Sequence, residues 1–148
     1  MSGALTHSPV RIVAQLLIDL VVGTNPTAND SWPVYEFTEP DSPDSLITVF
    51  GYGGVKQSRN MNDGQVNERA NINIRVRGLD DNTTYVKALD IGIALDESVR
   101  LTKVTVGSTD YLVTSASRLN GPLELGRTTT REGCVASTLN YSFAIKEL

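Results

Sequence analysis

The sequence predicts an α+β fold, with one mostly antiparallel β-sheet, two α-helices packed on one face and a projecting loop or hairpin arm. Three observations carry that expectation. Two stretches repeat apolar residues at helical spacing, several others alternate apolar and polar residues, and consecutive strands are joined by short turns, which suit antiparallel pairing. At 148 residues the chain fits one domain, 1–148, long enough to bury a core of its own.

The first helix opens at Ser8, a favourable N-cap, and Pro9, whose missing donor costs nothing at the first helical position. Val13, Leu16, Leu17, Leu20 and Val21 then follow the spacing of one buried stripe, and Gly23 offers a left-handed residue to end it. A polar linker over 24–31 leads to a short strand, Trp32 to Phe37, rich in β-forming side chains. Residues 39–44 read as a loop with two prolines and three acidic groups, and 46–50 as a second strand, broken by Gly51-Tyr52-Gly53-Gly54. The polar stretch that follows has few packing residues, so 51–67 reads as a mobile arm or a projecting hairpin that pairs with something else.

The next strand has the clearest pattern. Ala70, Ile72, Ile74 and Val76 alternate with Arg69, Asn71, Asn73, Arg75 and Arg77, which implies one buried face and one polar, basic face. Gly78 ends it, and Asp80 or Asp81 caps a second helix running to about Ser98. The inward side of that helix is expected to be Tyr85, Val86, Ala88, Leu89, Gly92 and Ile93. Leu101–Val106 and Tyr111–Ser115 form a hairpin across Gly107-Ser108. Gly121-Pro122 reads as a turn, 123–130 as a partly extended excursion, and Cys134 to Lys146 as a final strand inside the sheet.

Composition excludes several functions. Seventeen Asp and Glu against thirteen Lys and Arg leave a formal charge of −4, which argues against affinity built on neutralising many phosphates. One cysteine, Cys134, excludes an internal disulfide and any cysteine-rich metal site, and one histidine, His7, removes most metal and acid–base constellations, so the chain does not read as an enzyme. The apolar run 10–22 carries Arg11, Gln15 and Asp19 and is too short to span a membrane. No targeting segment is visible, so the chain reads as made in the cytoplasm, with accidental glycosylation motifs at Asn29, Asn82 and Asn140.

Local signals of chemistry have simpler accounts. His7 falls in a flexible arm and Cys134 opens a strand, so they do not read as a nucleophile and its base. Asp80 and Asp81 sit where a helix start favours negative charge, and Asp41 and Asp44 lie in a loop without calcium-binding spacing. The glycines at 51–54 lack the following helix that a phosphate cradle needs. What remains is surface. Arg69, Arg75 and Arg77, with Arg59 nearby in sequence, make a basic strand face that acidic surfaces of another copy could complement; nine arginines against four lysines favour such a role. No aromatics interleave with them, which weakens a nucleic-acid reading.

The opening Ser8-Pro9-Val10-Arg11-Ile12-Val13, the strand Asn71-Ile72-Asn73-Ile74-Arg75-Val76-Arg77-Gly78 running into a helix, and Gly121-Pro122-Leu123-Glu124-Leu125-Gly126-Arg127 with Arg131 before Leu139-Asn140-Tyr141-Ser142-Phe143-Ala144-Ile145 together resemble the tail terminator and tail-completion (minor capsid) proteins of long-tailed bacteriophages. The similarity spans nearly the whole chain, through short motifs. It implies a virion protein without catalysis or cofactor: a homo-oligomeric ring, commonly hexameric, that caps the tail tube and joins it to the head. Its partners would be itself, the tail-tube protein and a head-completion or neck protein, with DNA passing through without specific binding. A head-side neck connector and a tail-tube subunit are the alternatives of similar fold, and a small enzyme is the alternative of another class. On this reading the acidic loop at Asp41 and Asp44, or the Asp80-Asp81 turn, lies near the channel or a partner. Charge reversal at Arg75 and Arg77 is expected to weaken assembly while leaving the subunit folded.

Overall fold

In the computed structural model of the chain, the Ser8 side chain accepts a hydrogen bond from the Arg11 N–H and starts α1 (Pro9–Asp19). Residues 5–26, 31–40, 43–59, 66–127 and 133–148 are described, with side chains at all of them except 53–59, 66–68 and 126–127. α1 buries Val10, Ile12, Val13, Ala14, Leu16 and Leu17, a wider stripe than the spacing predicted. Its end differs from expectation. Val21, not Gly23, takes the left-handed conformation (φ 61°), and that turn carries the Val21 side chain out of the stripe to 83% exposure. Gly23 is required for space, because a Cβ there would collide with Val34.

After a short strand, β1 (Val34–Glu36), the chain enters β2 (Leu46–Arg59), which continues through the glycines at 51–54. A shift of register between Gly51 and Gly54 absorbs them as a bulge, so the expected break does not occur. β3 (Val66–Gly78) returns antiparallel to β2 from Arg59↔Val66 to Leu46↔Arg77. Of the two expectations for 51–67, a mobile arm or a projecting hairpin, the described part follows the hairpin, since 51–59 and 66–67 pair antiparallel as the ends of β2 and β3; residues 60–65 between them lie outside the described residues.

Asp80 is the N-cap of α2 (Asp81–Ser98), accepting from the Thr83 N–H. The buried residues of α2 are Thr84, Ala88, Ile91, Gly92 and Leu95. The predicted inward face is thus corrected: Val86 and Ile93 are each 44% exposed. The helix carries apolar side chains all round, and its small residues go inward because they let it lie close to the sheet. A Cβ on Gly92 would sit 2.7 Å from a guanidinium nitrogen of Arg118.

β4 (Arg100–Val106) and β5 (Thr109–Arg127) form the expected hairpin across Gly107-Ser108, with Gly107 at φ 62°. β5 does not turn at Gly121-Pro122; it passes through them with a cis peptide bond and shifts of register. Pairing with β6 (Val135–Glu147) on one side carries the strand across residues that locally read as a break.

The six strands form one sheet in the order β1-β2-β3-β6-β5-β4, antiparallel throughout except for β1 beside β2. α1 packs against β1 and β2 and also against β4, so both ends of the strand order meet one helix and the sheet curls around it. α2 covers β3, β6 and β5 on the same face. Between helices and sheet lies one core, including Val49, Ile72, Ile74, Leu139, Phe143 and Ile145.

Candidate interaction surface

The alternation in β3 sends Arg69, Asn71, Asn73, Arg75 and Arg77 to the face away from the helices. Register places Thr138, Asn140 and Ser142 of β6 beside them, and Asn120 and Ser117 of β5 beyond. At its centre this face is uncharged. Asn73 Nδ2 donates to Asn140 Oδ1 at 2.8 Å and also to Thr138 Oγ1, while Asn140 Nδ2 donates to Asn120 Oδ1. These side chains satisfy one another across three strands. Arg69, half-buried, donates to Ser142 Oγ at 3.1 Å.

One end of the face is closed, which corrects the expected basic surface. Arg77 is wholly buried: its guanidinium donates to the backbone carbonyls of Pro40 (2.8 Å), Pro43 (2.6 Å) and Asp44 (3.3 Å) and lies 3.6 Å from Glu39 Oε2. Arg75 pairs with Glu39 at 3.3 Å. The loop after β1 thus folds over the end of the sheet, and a planar cation with several donors is what three converging carbonyls and a carboxylate demand. Arg77 is enclosed within its own chain and offers no surface to another.

The remaining predicted residues scatter. Asp44 contributes its carbonyl to Arg77 and takes the Cys134 thiol at 3.9 Å, so it belongs to the same closure. Asp41 lies outside the described residues. Arg59 closes β2 opposite Val66. Asp80 is occupied as a cap, and Asp81 is exposed in the first turn of α2. Of the eight, Arg75, Arg77 and Asp44 come together; Glu39 and the three asparagines were missed. Their signal was present only as polar residues at alternating positions, and cross-strand register is what joins them.

Behind the face, a second polar cluster ties α2 to the sheet. The buried Tyr141 hydroxyl donates to Asp96 Oδ1 (2.9 Å) with Gly92 O at 3.2 Å, and accepts from Arg118 Nε (3.1 Å); Arg118 also pairs with Asp96. Burial first, then the hydrogen bond with Asp96, push the Tyr141 pKa up to about 12, against the pull of Arg118. Such a phenol stays protonated. His7, expected in a flexible arm, is held by Tyr111: its N–H donates to the phenol oxygen at 2.9 Å and its Nδ1 lies 2.7 Å from it. His7 and Cys134 therefore sit near opposite ends of β6.

Two strand edges are open. β1 pairs with β2 only at Ile47–Val49, and β4 pairs with β5 only up to Ser115. Beyond those limits, among the described residues, 50–59 of β2 and 116–127 of β5 have a strand on one side only. Leu119, Leu123 and Leu125 on β5 and Tyr52 on β2 are about half exposed there. Among the described residues no group of His, Cys, Asp or Glu is arranged to hold a metal ion, and no helix is long and apolar enough to cross a membrane. The chain matches no protein-family model and no curated protein.

Proposed function

We propose that this chain is a structural virion subunit, a phage tail terminator whose copies form a ring that caps the tail tube and joins tail to head. One observation carries the reading: the centre of the sheet face opposite the helices is a hydrogen-bonded, uncharged ladder of Asn73, Asn140 and Asn120 in a subunit of net charge −4. A passage for DNA must not hold its phosphates. Lysine and arginine contacts release counterions and bind, whereas amides already bonded to one another offer little to a phosphate. Arg75 and Arg77, on one side of that ladder along β3, are engaged with the loop that includes Glu39, and Arg69, on the other side, donates to Ser142 Oγ.

The reading extends to partners. The tail-tube protein would meet one rim of the ring and a head-completion or neck protein the other, with the subunit itself as the lateral neighbour. Native mass and negative-stain images of the purified chain, with and without tail tubes, test it. Single closed rings, or rings formed on tube ends, are the expected result. A monomer under both conditions overturns the reading, and long stacked polymers favour a tube subunit instead.

A further inference from the structure

The two open edges lie on opposite sides of the sheet, and their directions match. Strands β2, β3, β6 and β5 alternate in direction, so β5 of one copy laid beside β2 of the next would again be antiparallel. We infer that the subunits join in this way, the 116–127 edge of one copy hydrogen-bonding the 50–59 edge of its neighbour so that the sheet continues between subunits. The inference rests on the ring reading and names its interface.

Three features favour a second copy as the occupant. The first is heterology: the two edges differ, so pairing is head to tail, the type of contact that a rotation closes into a ring. The second is stagger. Through the register, the open part of β2 lies level with Asn140–Lys146 of β6, and the open part of β5 level with Val135–Phe143. Their centres differ by about four residues, on the order of 13 Å along the strands, over a lateral repeat of four strands, about 19 Å. Joining centre to centre tilts the strands by about 35° from the ring axis, within reach of the tilt at which sheets close on themselves. The third is composition. Beside the charged Arg118, Glu124 and Arg127, the open part of β5 carries the exposed Leu119, Leu123 and Leu125, apolar side chains that a neighbouring strand would cover. Pro122 lacks an N–H, so the pairing divides into one run before it and one after.

Paired cysteines test the contact in the full chain. Tyr52 and Leu123 stand on strands separated by two others, out of disulfide reach within one copy. Under mild oxidation of rings, alone or on tail tubes, the double variant Tyr52→Cys with Leu123→Cys should give a ladder of covalent multimers, and each single variant should give none. Tyr52→Cys with Leu119→Cys repeats the test at a neighbouring register. Closed rings that give no ladder with either pair overturn the edge pairing and leave the ring reading intact. Dimers from a single variant overturn it too, since they indicate like edges meeting. A chain that stays monomeric with tubes present overturns both.

Discussion

Arg77 Nη2 donates to the carbonyl of Pro43 at 2.6 Å from a side chain with no exposure to solvent. That bond makes the loop after β1 part of the fold. Replacing Arg77 with Met keeps the apolar stem but leaves the Pro40, Pro43 and Asp44 carbonyls without their donor, and should cost about 3–5 kcal/mol, read from denaturant unfolding. Arg77→Lys should recover only part of the loss, because one ammonium cannot reproduce the fork. The double charge reversal at Arg75 and Arg77 should therefore unfold the subunit, contrary to the sequence-based expectation that it would affect assembly alone.

Val21 is β-branched, exposed and left-handed. The left-handed conformation costs a non-glycine residue roughly 1–2 kcal/mol. Val21→Gly forfeits little burial and should stabilise the protein by about 1 kcal/mol, offset in part by the greater freedom of the unfolded chain. A rise in Tm of a few degrees in calorimetry is the expected result.

Tyr141 links pH to stability. Its folded pKa of about 12 lies above the ordinary tyrosine value near 10. The protonated phenol is the form the fold prefers, so its contribution is complete below about pH 10 and disappears as pH climbs through about 12. Ultraviolet titration of the five tyrosines should show late ionisation. Burial raises Tyr111 as well, so Tyr141→Phe is needed to identify the last step, which it should abolish while flattening the alkaline loss of stability.

The uncharged face has its own test. Asn71→Lys with Asn120→Lys adds two cations to it without touching the core. Assembled protein should then retain duplex DNA at low salt and release it as salt is raised, whereas the parent should not; a mobility-shift titration reads the difference.

How much of this was legible in the residues depends on how far each partner lies along the chain. The Ser8 cap, the Gly107-Ser108 turn and the alternation of β3 are local, and each is found in place. Arg77 was not legible as a buried group, since it occupies the polar phase of the strand and the carbonyls it donates to lie 33 to 37 residues earlier. The glycines at 51–54 and Gly121-Pro122 read as breaks because they oppose strand structure locally; pairing with β3 and β6 overrides them. The inward side of α2 was misassigned for a similar reason: Val86 and Ile93 are more apolar than Gly92, but only the small residue fits above Arg118 and Tyr141. The asparagine ladder needed the β3–β6–β5 register before it could be seen at all.

β6 lies between β3 and β5 and follows every other element along the chain. During synthesis, then, the β2–β3 and β4–β5 hairpins leave the ribosome with no strand to join them, and each waits with a bare flank that β6 will fill. Completion of the domain is tied to the synthesis of β6, and a message truncated before residue 135 would release two half-sheets in search of any strand, including those of other nascent chains.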